Sequence, residues 1–285
     1  MALRRSRWGV FASGAGGGGA ALSGSGVTGA AIVAPAWLTG AVLSHDNGEE
    51  KTKMISPLKH ALEDLLRDRR LFTEPFRVGP RGAHRLPFGV LDLDALLLGG
   101  LPRGHVSEIH GPRASGRTGL ALGLAAQATR EGALVAWVDP ADAFDPASAD
   151  AAGLDLRRLL WVRGEGGGVR RPVAAAGVLA DSGLFELLVL DLADIASREM
   201  RRLPTTTWRR LERAVEGTPA ALVLLAGGHV FRGAGGCSLA LRPSGVLWSG
   251  SPGPGHLLRG LGAEVTAWGG TQAARSTTLE LLTGR

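Results

Sequence analysis

Cysteine is nearly missing from this chain. A single one, Cys237, occurs in 285 residues, so no disulfide can form within it and no cysteine-based metal cluster can be built. A reducing, cytoplasmic setting is the expectation that follows. Tyrosine is absent and methionine occurs three times; these shortages exclude little. The seven histidines are scattered along the sequence, with no HExxH or other ligand spacing. Long apolar runs are missing too. Nothing approaches the ~18 residues of a membrane span, so no membrane association is expected.

What is present is enough for one sizeable α/β core: 45% of the residues are hydrophobic. The net charge is +6 and the sequence pI about 10.7, which permits nucleic-acid contact without requiring it. Arginine dominates the basic residues, and its planar fork pairs with carboxylates and phosphates alike.

The composition changes along the chain. Residues 1–53 hold 11 glycines and keep no helical or strand period, so this Gly/Ala-rich segment is expected to be disordered and to contribute nothing to a core. Arg4, Arg5 and Arg7 precede apolar residues as in an export signal, but glycines break the apolar part and the best run, Ala30 to Leu38, contains Pro35. Met54 as the true first residue is the favoured alternative. Residues 54–85 are expected to form a helix and a linker. Leu58, Ala61, Leu62, Leu65 and Leu66 share one face over 57–72, with Ser56 as N-cap and Pro57 at the first helical position.

Residues 86–285 alternate between strand and helix patterns. Strands are expected at Val106–His110, Ala133–Val138, Leu159–Arg163, Phe185–Leu190 and Ala220–Leu225, and helices at Thr118–Thr129, Pro172–Ser182 and Thr205–Glu216. Hairpin-like strands follow near Ser238–Arg242, Leu257–Ala267 and Thr277–Leu282. This order implies an α/β fold: a mostly parallel central sheet, helices on both faces, and antiparallel C-terminal strands.

Between the first strand and helix lies Gly111-Pro112-Arg113-Ala114-Ser115-Gly116-Arg117-Thr118, followed by Gly119. The G-x4-G-x-[ST] spacing at a strand–helix junction is that of a phosphate-binding loop. Its glycines let backbone N–H groups curl around phosphates at a helix N-terminus. Thr118 is the candidate Mg²⁺ ligand. Arg117 stands where lysine is usual; it keeps the charge, but its larger fork does not reproduce the lysine point charge. Leu187-Leu-Val-Leu-Asp191, four apolar residues ending in a carboxylate, has the layout that orders the Mg²⁺ shell, with Asp191 as second metal candidate.

Gly99-Gly-Leu-Pro-Arg-Gly-His-Val-Ser-Glu-Ile-His-Gly-Pro112 resembles the approach to the ATP site of the RecA recombinases. Trp137 to Pro146 and Gly153 to Leu160 resemble the stretch that follows it, and the similarity covers roughly residues 86–245. The resemblance implies a RecA-like P-loop domain with ATP and Mg²⁺ as ligands and Asp145 at the nucleotide. It also exposes departures. The RecA catalytic glutamate is matched by Ala141, with Asp142 one residue off; the glutamine sensor falls at Ala226-Gly227-Gly228; the aromatic covering adenine is matched by Ser148. Lysine, general base and sensor each stabilise a different part of the transition state. Their joint loss implies a degenerate ATPase, with ATP and Mg²⁺ binding weak or absent.

The RecA DNA-binding loops correspond to Asp194–Pro204, with Arg198, Arg201 and Arg202, and to Gly227–Ser238, with His229, Phe231 and Arg232. Arginines with an aromatic can grip single-stranded DNA; a solvated basic loop and a glycine hairpin are the equal alternative. A shortened, hydrolysis-impaired RecA relative is similar to the ImuA group, also labelled SulA-like. That resemblance implies a cytoplasmic adaptor of the SOS response, partnering translesion polymerases and using helix 57–72 for self-association or RecA contact. The alternatives are an ATP-dependent DNA recombinase and a regulatory nucleotide-binding protein outside repair.

Overall fold

A computed structural model describes residues 84–164, 168–251, 253, 255–269 and 272–282, together with Ile32, Val33, His60 and Asp64. Eleven strands are assigned among the described residues: β1 (Ile32–Val33), β2 (Arg85–Leu86), β3 (Leu101–Pro102), β4 (Val106–His110), β5 (Val135–Asp139), β6 (Leu159–Arg163), β7 (Leu187–Leu192), β8 (Ala221–Ala226), β9 (Cys237–Ser249), β10 (Leu257–Gly269) and β11 (Gln272–Leu282). The helices are α1 (Leu91–Leu96), α2 (Arg117–Arg130), α3 (Pro146–Ala151), α4 (Arg170–Ser182), α5 (Ser197–Met200) and α6 (Thr205–Val215).

Nine strands form one sheet in the order β1-β6-β5-β7-β8-β4-β9-β10-β11, and β2 and β3 form a separate ribbon. Pairing is parallel from β1 through β4 to β9, then antiparallel through β10 and β11. The expected α/β architecture is the one observed. β5 to β8 are largely apolar on both sides because both faces are covered. Along β5, Val135 and Trp137 join the core under α2, while Ala136 and Val138 join the core under α4 and α6. The same period-2 split runs through β6, β7 and β8.

α2 carries no clean apolar stripe, and nearly its whole circumference is buried. Its surroundings explain this. Ala263, Val265, Leu279 and Leu281 from β10 and β11 belong to the same core as Leu120 and Leu124, so the C-terminal strands wrap around the helix that follows the phosphate loop.

Three sequence expectations change, and a fourth, helix 57–72, falls mostly outside the described residues. Ile32–Val33, inside the segment expected to contribute no element, pairs in parallel with Leu160 and Trp161 at the sheet edge; two β-branched residues in a row suffice to extend an open edge. The rest of 1–53 lies outside the described residues. Of helix 57–72, His60 and Asp64 are described, both helical and exposed; the remainder lies outside. β9 runs to Ser249, past Pro243, because Pro243 has its neighbour on one side only, Ala263. α1, α3 and α5, of six, six and four residues, are too short to show a helical period.

Beneath the loop after β5, Trp137, Phe144 and Trp161 form an aromatic ladder, with ring centroids 5.1 and 5.2 Å apart. Trp137 is fully buried, and its indole N–H has no hydrogen-bond partner. Trp137→Ala should therefore cost about 3–5 kcal/mol. Trp137→Phe loses ring volume but removes an unsatisfied donor worth about 1–3 kcal/mol, so it should stay within about 1 kcal/mol of the parent. Urea denaturation of the full chain distinguishes the two; equal losses would contradict this account.

Candidate functional site

The loop between β4 and α2 has the geometry of an anion cradle. Gly116, the N-cap of α2, lies at φ 86°, and no side chain caps the helix. Ala114 also has positive φ, 59°. Alternating left- and right-handed residues turn successive N–H groups to one side, and the first helical turn has no acceptors of its own. Gly111 N donates to Ala226 O at 3.2 Å and Ser115 N to Pro112 O at 3.3 Å, which anchors the loop to the end of β8. Pro112, Arg113, Ala114 and Thr118 are exposed, whereas Gly111, Ser115, Gly116, Arg117 and Gly119 are buried.

Two glycines are needed for packing as much as for phosphate. A Cβ on Gly111 would lie 2.4 Å from Leu241 O, and one on Gly116 would lie 2.1 Å from the Leu281 side chain. β9 and β11 therefore press directly on the loop.

Arg117 does not reach outward as the resemblance implies. Its Nη1 donates to Gly111 O at 2.6 Å, its residue is 8% exposed, and its Nε is buried without a partner. The fork closes across its own loop. Arg113, largely exposed, approaches Asp194 at 3.4 Å.

The Mg²⁺ half fits less well. Asp191, at the end region of β7, is buried and accepts from Ala193 N at 3.0 Å. Burial pushes its carboxyl up to about 7; Asp139 and Asp194 add to the rise, while the Ala193 N–H and the Arg117 guanidinium oppose it. Thr118 is exposed at the head of α2. The residues thus fit a phosphate cradle, whereas the magnesium carboxylate is one whose charge the fold disfavours.

The carboxylates on the catalytic side are all occupied. Asp139 accepts from Ala143 N at 3.0 Å, Phe144 N at 2.8 Å and Trp161 Nε1 at 3.2 Å, which fixes the loop carrying exposed Ala141. Asp142, at φ 54°, takes both prongs of Arg163 at 2.7 and 2.6 Å, and that guanidinium holds it below the usual carboxylate range. Arg163 in turn lies 4.7 Å over the Trp161 ring. Asp145 caps α3 through Ala147 N, Ser148 N and the Ser148 hydroxyl. This cap fixes Asp145 at the start of α3.

Arg198, Arg201 and Arg202 are exposed together after β7, on a short segment anchored by buried Met200 and Leu203. The second loop is held to the fold by its own side chains. Phe231 stacks on Trp208 of α6, centroids 5.9 Å apart at 13°, so its face is taken by the core. Arg232 donates to Gly236 O at 3.2 Å and ties its own loop.

The sequence reading missed one cluster. Glu108, His110 and His229 bring one ligand atom each to within 4.8 Å of one another. The fully buried Glu108 accepts from Val230 N at 3.0 Å, Phe231 N at 3.2 Å, Ser238 Oγ at 2.6 Å and His229 Nδ1. Burial holds His110 below the ordinary histidine pKa, with His229 adding to this and Glu108 opposing it. The Glu-x-His spacing on a strand was a usable signal, because it places both side chains on one face. His229, 119 residues beyond His110, was not.

Asp191 generates a pH prediction. A carboxyl at about 7 in the folded chain and 3.8 as its ordinary value binds more protons folded than unfolded between those pH values. Stability falls as pH rises through that window, by at most about 4 kcal/mol. Asp191→Asn should flatten the fall between pH 4 and 8, measured by urea denaturation at several pH values. An unchanged slope would show that another group carries it.

Comparison with known proteins covers a shorter stretch than the resemblance expected over 86–245. Residues 82–199 match the RecA N-terminal domain family. Protein RecA of Streptococcus pyogenes serotype M49 is 40% identical over 119 residues, covering 40% of this chain and 31% of that protein. Protein RecA of Rubrobacter xylanophilus is also 40% identical over 119 residues, covering 40% of this chain and 34% of that protein. The chain thus spans about a third of the length of these relatives. The match takes in β2 to β7 with the phosphate loop, and over these residues the chain is similar to the RecA N-terminal domain.

Proposed function

We propose that this chain is an accessory protein of DNA repair that keeps the RecA-like scaffold as a binding platform and does not turn over ATP. The observation that carries this reading is the occupied carboxylate set beside the phosphate loop. Asp139 holds its own loop, Asp142 is forked to Arg163, and Asp145 caps α3. None is left to activate water, and position 141 is alanine. Arg117 turned onto Gly111 O, and Gly227 in place of a polar sensor, remove two further contributions to phosphoryl transfer.

The finer proposal is an adaptor of the SOS response that partners translesion polymerases, on the resemblance to the ImuA group. The exposed Arg198, Arg201 and Arg202 are the surface proposed for single-stranded DNA. Helix 57–72 is proposed as the docking element. Among the described residues no helix is long and apolar enough to cross a membrane.

Hydrolysis is the decisive measurement. No ATPase activity above background is expected, with or without single-stranded DNA, and Arg117→Lys alone should not restore it because the general base is still missing. A DNA-stimulated rate abolished by Asp191→Ala would overturn the proposal in favour of a recombinase. Mg-ATP at ~1 mM should raise the Tm by less than roughly 5 °C. Capture from DNA-damaged cells should return a translesion polymerase; its repeated absence would remove the adaptor assignment.

A further inference from the structure

We propose that Glu108, His110 and His229 form a transition-metal site of the zinc class, independent of the phosphate loop and of its Mg²⁺ chemistry. Period-2 geometry on β4 puts Glu108 and His110 on the same face. β8 is the neighbouring strand, with Ala226 in register with His110. The chain leaving β8 brings His229 back over that face three residues later. His110 Nε2 lies 3.8 Å from Glu108 Oε1, and His229 Nδ1 hydrogen-bonds the same oxygen. Three donors from two segments thus converge around one carboxylate oxygen.

The supporting groups orient these donors. Val230 N and Phe231 N hold the other carboxylate oxygen, Oε2, and Ser238 Oγ donates to Oε1. The His110 ring stacks on Trp268, centroids 6.1 Å apart at 30°. Groups that hydrogen-bond or pack a ligand into one orientation are the usual outer shell of a metal centre. Glu108 has no exposed surface, and the only basic groups within ion-pair distance of it among the described residues are the two imidazoles. Its oxygens thus face two imidazoles, two backbone N–H groups and one hydroxyl in a closed site.

The donor set selects the metal. Two imidazole nitrogens and one carboxylate suit first-row divalent ions such as zinc, cobalt, nickel or iron(II), whereas Mg²⁺ and Ca²⁺ take oxygen-rich shells and copper(I) prefers sulfur. A tetrahedral zinc with bonds near 2.0–2.1 Å needs donors about 3.3 Å apart. Glu108 and His110 stand 3.8 Å apart, close to this spacing, and rotation of His229, whose side chain is 66% exposed, would bring in the third donor. Three protein ligands leave a fourth position open to water or another small ligand. Metal binding would pin the loop after β8 to β4, directly before the phosphate loop.

The test uses the untagged full chain, stripped with a chelator and titrated with Zn²⁺ by calorimetry and with Co²⁺ by absorption. The expected result is about one ion per chain, tetrahedral Co²⁺ bands, and a Zn²⁺-dependent rise in Tm. His229→Ala removes an exposed side chain, and a cooperative melt confirms that it folds. It should weaken binding at least about tenfold and abolish the Tm rise, as should His110→Ala. His256→Ala, at the remote β9–β10 hairpin, should bind as the parent does. No binding at micromolar Zn²⁺, or binding that survives both His229→Ala and His110→Ala, overturns the proposal.

Discussion

The close approach of the C-terminal strands to the phosphate loop governs the rest of the molecule. Leu241 O on β9 and the Leu281 side chain on β11 occupy the space where any side chain at Gly111 or Gly116 would sit. That contact buries α2 nearly all round and draws β10 and β11 into the same core as the central sheet. A helix that in isolation shows no apolar stripe is therefore stable because tertiary packing, not amphipathicity, supplies its burial. The same compression confines Arg117. Its guanidinium satisfies a loop carbonyl from inside while one nitrogen goes without a partner.

Around this loop, ionisable groups have been assigned to holding backbone in place. Asp139 secures the turn over the aromatic ladder, Asp145 starts α3, and Glu108 gathers the loop after β8. Each accepts from backbone N–H groups that would otherwise be orphaned. Each such contact orients the carboxylate as well as the backbone. Asp191 sits at the other extreme, buried with one backbone donor and pushed toward neutrality.

The loop after β8 illustrates a related economy. Phe231 and Arg232, which resemble a nucleic-acid grip in sequence, are turned toward Trp208 and Gly236. The shortened loop must cross the end of the sheet in few residues, so its large side chains are used to fasten it down. The arginines after β7 sit on a segment anchored by Met200 and Leu203 and remain exposed.

Apolar runs of four to six residues alternating with helical stretches were sufficient to predict the parallel sheet. Such runs can only be buried on both faces, and the strand–glycine loop–helix order located the phosphate cradle between β4 and α2. Both are properties of local period and spacing. What Arg117, Asp142, Asp145 and Phe231 do is decided by neighbours far along the chain or by loop geometry that spacing does not encode. The partnership of His110 with His229 exists only because β8 lies beside β4 in the sheet. Local sequence determines which face a side chain takes on its own element; which charges and rings meet it there depends on strand order, and strand order is a property of the folded chain.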